Sequence, residues 1–287
     1  YLLEAMKMKP MSSRERIHAV INGLPCDRTP VTPIFMAWAA HFIGHTYRDY
    51  YLDGDVLVKS QLAVVREFGF DQVSAISDPW REASAYGMEF DYPEEGVGKP
   101  KGLLIKSQYD IDKLKKLVIE ESPRMLQRVE SVRKMANEIG RTHSVLGWVE
   151  GPLAEYSDLR GLEETLMELF DRPEMFEKAA ERIVDNAINF AVAQIKAGAD
   201  IIGVGDAACS LVGPELYKTR VLQFQKKLFS SIHDAGAKVK LHICGNISSI
   251  IEHMAASGAD IIDVDWMVPL DEARRKVGEG ITLCGNF

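Results

Sequence analysis

The sequence lacks the features that mark membrane-spanning and secreted proteins. No apolar run approaches the roughly 20 residues that a bilayer crossing requires, and no signal-peptide pattern is present. Cys26, Cys209, Cys244 and Cys284 are the only four cysteines among 287 residues, and their wide spacing does not resemble a disulfide framework. We therefore expect a cytoplasmic protein with reduced thiols and no membrane association.

An excess of basic residues is also missing. The chain has 34 lysines and arginines against 42 aspartates and glutamates, a net charge of −8, which argues against nucleic acid or an anionic membrane as a partner. No glycine-rich phosphate loop follows the first predicted strand, so an open doubly wound nucleotide-binding sheet is disfavoured. With 46% hydrophobic and 26% charged residues, the chain can form one large α/β barrel or two smaller domains.

Helix and strand signals alternate along the chain. A capping box from Ser12 to Glu15 opens an N-terminal helix over 12–23, and proline and glycine punctuate a hairpin excursion at about 86–109. The first predicted strand, 31–35, contains Pro33 and follows Pro30, which limits its pairing. The predicted strands are 31–35, 71–76, 144–149, 199–206, 238–246, 260–266 and 281–287.

The later strands recur at intervals that suit a (β/α)₈ TIM barrel. Residues 197–202 and 257–262 repeat the same sequence of helix end, turn and strand start, as βα units do. We predict one TIM-barrel domain over 1–287 that lacks its last βα unit in this chain. Active-site residues in such a barrel lie at the C-terminal ends of the strands.

The most informative segment is 238–246, in which aliphatic and polar residues alternate. In a strand, His242 and Cys244 share one face and lie about 6.6 Å apart at their Cα atoms. Zinc lies about 2.0 to 2.3 Å from nitrogen and sulfur donors, so both side chains can reach one ion. Gly245 and Asn246 end the strand in a turn. Because zinc needs three or four ligands, two buried core residues are the alternative interpretation.

Other polar residues fall at predicted strand ends and are candidates for the same site. For each acidic residue, the alternative is a carboxylate that caps a neighbouring helix. The residues are Asp78, Glu150, Asp206, Asp263, Asp265 and Cys284.

Over nearly its whole length, from Arg14-Glu15-Arg16 to Cys284-Gly285-Asn286, the chain resembles the uroporphyrinogen decarboxylase superfamily. Ser77-Asp78 and Gly151-Pro152 mark the superfamily. The residues from Gly205 to Leu216, and above all His242-Ile243-Cys244-Gly245-Asn246, resemble its methylcobamide:thiol (coenzyme M) methyltransferase branch.

The resemblance implies a zinc ion held by one histidine and two cysteines, of which His242 and Cys244 match the first two. The third matches a cysteine beyond Phe287, with Cys284 as an alternative. The zinc-bound thiol of a small-molecule acceptor would attack the methyl group of a methylcorrinoid, carried by a partner corrinoid protein. Coenzyme M, another thiol or a folate remain open as acceptors.

The resemblance also identifies candidate catalytic residues. Asp78 matches the catalytic aspartate of the decarboxylases, and Tyr156 matches their site tyrosine. Asp78, Asp206 and Asp263 are candidates for orienting His242 or the substrate, because carboxylates often orient metal-binding histidines.

Two other functions remain open. A uroporphyrinogen decarboxylase would need cations for a substrate with eight carboxylates, but residues 36–44, the equivalent of the family's arginine-containing segment, contain no arginine. A barrel that binds a corrinoid partner without catalysis is the third interpretation.

Overall fold

Six parallel strands form the central sheet of the protein, in a computed structural model that describes residues 9–285. The strands are β1 (Gln72–Ser74), β4 (Ser144–Glu150), β5 (Ile201–Gly205), β6 (Lys238–His242), β7 (Ile261–Val264) and β8 (Thr282–Gly285). They lie side by side in this order, and each strand is hydrogen-bonded to the next. This architecture confirms the predicted incomplete TIM barrel.

Helices alternate with the strands and cover the sheet. Ser12 and Glu15 form the predicted capping box at the first helix, which begins at Ser13 and ends at Ile21. Among the helices within 9–285, none combines the length and apolar character that a membrane crossing needs. The α-helices among residues 9–285 are Ser13–Ile21, Ala37–Phe42, Tyr47–Leu52, Gly54–Phe68, Trp80–Tyr86, Gln108–Asp112, Pro123–Ile139, Pro152–Arg160, Leu162–Asp171, Pro173–Ala197, Gly213–Leu216, Leu222–Asp234, Ile251–Ala255 and Leu270–Val277.

The predicted hairpin excursion is confirmed, since β2 (Phe90–Asp91) and β3 (Lys99–Pro100) pair in an antiparallel ribbon. The predicted first strand is wrong, because 31–35 forms no strand. Pro33 has no backbone N–H to donate to a neighbouring strand. The segment 31–35 is held instead by Val31, which exchanges hydrogen bonds with Asp71. Residues 29–34 and β8 line a cavity of about 590 Å³ that Lys240, His242 and Asp263 also line.

Close packing between β4 and β5 brings an aromatic ring to the end of β6. Trp148 of β4 is 4% exposed and lies over Gly203 and Gly205 of the neighbouring strand. A Cβ atom on Gly203 would lie 2.2 Å from the Trp148 ring, so only glycine permits this approach. The Trp148 ring reaches His242, with the ring centroids 6.0 Å apart. The two glycines therefore make room for a ring that packs beside His242.

We predict that Gly203→Ala lowers the free energy of unfolding by about 1–3 kcal/mol, the usual cost of overpacking a core. The added methyl group would overlap Trp148. Urea denaturation measures the change. Gly102→Ala is the matched control, because a Cβ atom there meets nothing within 4 Å. Equal losses of stability in both variants would contradict this packing.

Candidate functional site

The imidazole of His242 and the thiol of Cys244 lie side by side where β6 ends. His242 Nε2 is 2.9 Å from Cys244 Sγ, and the Cys244 side chain is exposed. Gly245 then turns the chain with a φ of 92°, in the left-handed region that favours glycine, and its N–H donates to Asp265 at 2.8 Å. The strand is shorter than the predicted 238–246, but the predicted adjacency of the two side chains is confirmed.

Asp263 fixes the other side of the His242 ring. It is paired in register with His242 across β6 and β7, and its Oδ2 lies 3.1 Å from His242 Nδ1. Burial alone would lower the pKa of His242, but Asp263 and Cys244 raise it to about 10. Burial would raise the pKa of Asp263, yet Lys240 and His242 lower it, so Asp263 is a carboxylate. The imidazole is therefore held in one orientation, with Nε2 toward the sulfur.

These two donors fit part of a zinc site. A histidine that binds zinc commonly gives its other ring nitrogen to a carboxylate, as His242 does here. Zinc bond lengths and a tetrahedral angle place nitrogen and sulfur ligands roughly 3.5 Å apart, so a small side-chain rotation would admit the ion. Within residues 9–285, no three His, Cys, Asp or Glu side chains are arranged to hold a metal ion. The third ligand predicted beyond Phe287 lies outside the described residues.

Cys284, the alternative third ligand, lies against Lys240 rather than at the end of β6 where His242 and Cys244 meet. Its Sγ lies 3.6 Å from Lys240 Nζ and 3.6 Å from Thr32 Oγ1, and burial raises the pKa of its thiol. Lys240 precedes His242 by two residues on β6. No hydrogen bond among the described residues joins Cys284 to Cys244.

Asp206 supports the scaffold around the site. Its carboxylate is fully buried and accepts hydrogen bonds from the N–H of Ala154, at 2.7 Å, and from Gln225 Nε2, at 2.8 Å. Ala154 lies in the first turn of the helix Pro152–Arg160, so Asp206 caps that helix. Burial raises the pKa of Asp206 to about 6. Its backbone N–H donates to the carbonyl of His242 at 2.9 Å, which ties it to the end of β6.

Asp78 and Tyr156 are engaged elsewhere. Asp78 is 1% exposed and accepts two hydrogen bonds from Arg124, at 2.8 and 2.5 Å. Burial would raise the pKa of Asp78, but Arg124 lowers it to about 2. The Tyr156 hydroxyl donates to Glu168 at 2.7 Å. Neither side chain has a hydrogen bond to His242 or Cys244 within 9–285, and the catalytic roles of Asp78, Tyr156 and Asp206 stay predictions.

The chain matches the model of a known protein family. The family model described as "Uroporphyrinogen decarboxylase (URO-D)" matches residues 12–287. The chain belongs to the uroporphyrinogen decarboxylase family. The uroporphyrinogen decarboxylase of Nocardia farcinica is 28% identical over 241 residues, 82% of this chain and 66% of that protein. That of Streptomyces griseus is 27% identical over 279 residues, 91% of this chain and 75% of that protein. The chain thus spans roughly two thirds to three quarters of these relatives.

Solved structures show the same fold. A methyltransferase from Methanosarcina mazei superposes with a TM-score of 0.87 at 21% identity, covering 96% of this chain and 83% of that one. A B12-independent methionine synthase from Shewanella sp. W3-18-1 superposes with a TM-score of 0.52 at 13% identity, covering 80% and 69%. This likeness shows the fold, and the side chains of the site determine the reaction that the fold carries out.

Two buried ionisable side chains of this family member, Lys240 and Glu155, were not among the predicted site residues. The alternation of residues in 238–246 places Lys240 on the same strand face as His242, and this pattern could have identified it. Glu155 lies in the helix after β4 without such a signal. Glu155 is 2% exposed, and neither of its carboxylate oxygens has a hydrogen-bond partner among the described residues. Burial and the nearby Glu82 raise its pKa well above the usual range. Glu150 is buried nearby and is paired with Arg81 at 2.6 Å.

We predict that Glu155→Gln stabilises the protein increasingly as the pH rises. A raised carboxyl pKa means that the folded state retains a proton above about pH 4.3, where the unfolded chain loses it, so wild-type stability falls as pH rises toward the folded pKa. The melting temperature of the variant relative to wild type should rise by at least about 2 °C between pH 5 and pH 8, the shift that 1 kcal/mol produces. Thermal melts of the exposed Glu163→Gln variant are the control, and a pH-independent difference for Glu155→Gln would refute the prediction.

Proposed function

We propose that the protein is a zinc-dependent methyltransferase that moves a methyl group from a methylated corrinoid to a thiol or similar small-molecule acceptor. A partner corrinoid protein would carry the donor. The observation that carries the proposal is the pairing of His242 Nε2 with the exposed Cys244 sulfur, 2.9 Å apart at the end of β6, with Nδ1 on Asp263. Zinc held there would lower the pKa of a coordinating acceptor thiol, so that it reacts as the thiolate.

The side chains around this pair keep it in place while its outer face stays open. Asp263 holds the ring of His242, and Trp148 packs beside that ring. Asp265 accepts the N–H of Gly245 and so fixes the turn that follows Cys244. Because Cys244 is exposed, an acceptor and a donor carried by another protein can both approach it. Positioned donors and open access are what a bimolecular transfer requires.

In the proposed reaction, the acceptor thiol gives its proton to solvent, and its sulfur attacks the methyl carbon of the methylcorrinoid. A carbon–sulfur bond forms with the electron pair of the sulfur. The cobalt–carbon bond breaks, and its electron pair stays on cobalt, which leaves as Co(I). His242 and Cys244 would hold the zinc ion to which the acceptor thiol binds, and they are unchanged at the end.

Decarboxylation of a porphyrinogen is the second candidate, because the similar curated proteins are named uroporphyrinogen decarboxylase. Two observations weigh against it. Residues 36–44 contain no arginine to pair with substrate carboxylates. Asp78, which matches the catalytic aspartate of the decarboxylases, is buried against Arg124 rather than open to a ligand. The proposal therefore assigns Asp78 a role in the buried ion pair.

We predict that the full-length protein, reconstituted with zinc, binds about one zinc per chain and transfers the methyl group of methylcobalamin to coenzyme M or another thiol. Cys244→Ala should lose the zinc and slow transfer by at least about 100-fold, because a catalytic metal contributes several kcal/mol. Metal analysis and the absorbance change of methylcobalamin measure the two effects. Cys26→Ala, at a partly buried cysteine outside the site, is the matched control.

The other functions give different results in the same experiment. No zinc after reconstitution of the wild type would refute the proposal. Formation of coproporphyrinogen from uroporphyrinogen that survives chelation and is lost in Asp78→Asn would establish the decarboxylase. Association with a corrinoid protein without transfer to any thiol would establish a binding barrel.

A further inference from the structure

A buried lysine precedes the His242–Cys244 pair on the same face of β6. Lys240 is 2% exposed and stands two residues before His242 on β6. An ammonium group removed from water costs several kcal/mol unless it is paired, so its partners show what it does there. Its Nζ lies 3.0 Å from Asp263 Oδ1 and 3.6 Å from Cys284 Sγ. Asp263 is the charged partner.

The carboxylate of Asp263 is divided between two partners. Oδ1 faces Lys240 at 3.0 Å, and Oδ2 faces His242 Nδ1 at 3.1 Å. A carboxylate with one partner can rotate about its side-chain torsions and can offer either oxygen. Two partners on opposite oxygens fix that rotation. The contact with Lys240 therefore determines where Oδ2 stands and which way the His242 ring turns.

A second lysine on the same strand supplies the comparison. Lys238 is paired with Asp260 at 2.9 Å, and its side chain is 34% exposed. The carboxylate of Asp260 also contacts His233 and accepts a hydrogen bond from the N–H of Val239, outside the candidate site. Both lysines thus pair β6 with an aspartate near or on β7, but only Lys240 shares its aspartate with His242.

We propose that Lys240 is a positioning residue for the metal centre: acting through Asp263, it holds the His242 ring with Nε2 toward Cys244. The inference rests on the proposed function, because it assigns a purpose to the orientation of a metal ligand. Carboxylates that orient metal-binding histidines commonly change metal affinity 10- to 100-fold when they are mutated. Lys240 acts through such a carboxylate. Replacing Lys240 should therefore lower the metal affinity by about 10-fold, the lower end of this range.

The test is a Co²⁺ titration of the full-length protein, in which the sulfur-to-cobalt absorption band reports coordination by Cys244. Lys240→Met should weaken Co²⁺ binding about 10-fold and Asp263→Asn about 10- to 100-fold. The double variant should bind no more weakly than Asp263→Asn alone, because Lys240 acts through Asp263. Lys238→Met is the matched control and should bind like the wild type. Circular dichroism melts show that each variant is folded.

Three results would overturn the inference. Wild-type Co²⁺ affinity in folded Lys240→Met would refute it and leave the proposed function intact. A further loss of affinity when Lys240→Met is added to Asp263→Asn would show that the lysine acts without the aspartate. Absence of Co²⁺ and Zn²⁺ binding in the wild type would refute the proposed function and the inference together. If Lys240→Met does not fold, Lys240→Gln replaces it, with the same expected loss and the same refuting result.

Discussion

The pairing register between β6 and β7 is the constraint on which the candidate site depends. It places Asp263 directly across from His242, so that one carboxylate joins a buried lysine to a mostly buried imidazole. A shift by one residue would turn these side chains to the opposite faces of the sheet. The order Lys240, Asp263, His242, Cys244 leads from the buried interior to the exposed end of the strand. The outermost atom of that series is a sulfur, which suits it to metal chemistry.

The acidic residues near the strand ends have three different physical roles. Asp206 caps a helix, Asp78 neutralises the partly buried Arg124, and Asp263 orients a histidine. A strand-end carboxylate therefore does not indicate by itself which function it has, because the neighbouring element that it contacts decides this. Trp148 shows the same dependence, since its position beside His242 requires two glycines on the adjacent strand.

The sequence predicted most of the scaffold and the central pair of the site. The alternation of side chains in 238–246 follows from strand geometry, so the adjacency of His242 and Cys244 was predictable without any knowledge of the partners. The repeated βα pattern likewise predicted the barrel, and the family model agrees with the resemblance. The segment 31–35 misled because its apolar residues resemble a strand, whereas Pro33 within it and Pro30 before it lack the backbone N–H donors that a strand needs.

The partners of buried charges could not be predicted in this way. Lys240 and Asp263 are 23 positions apart, and their contact depends on the register of two strands rather than on local sequence. Glu155 is similar, because its burial in the helix Pro152–Arg160, with no hydrogen-bond partner among residues 9–285, depends on the tertiary structure. Such contacts are properties of the tertiary structure, and they are what separates the orienting carboxylate Asp263 from the helix-capping carboxylate Asp206.

X-ray absorption at the zinc edge of the reconstituted full-length protein would show directly whether His242 and Cys244 bind the metal ion. We predict a nitrogen ligand at about 2.0 to 2.1 Å and sulfur ligands at about 2.3 Å, and loss of the bound zinc in Cys244→Ala. A spectrum that shows only oxygen and nitrogen ligands, or one that is unchanged in Cys244→Ala, would contradict this prediction.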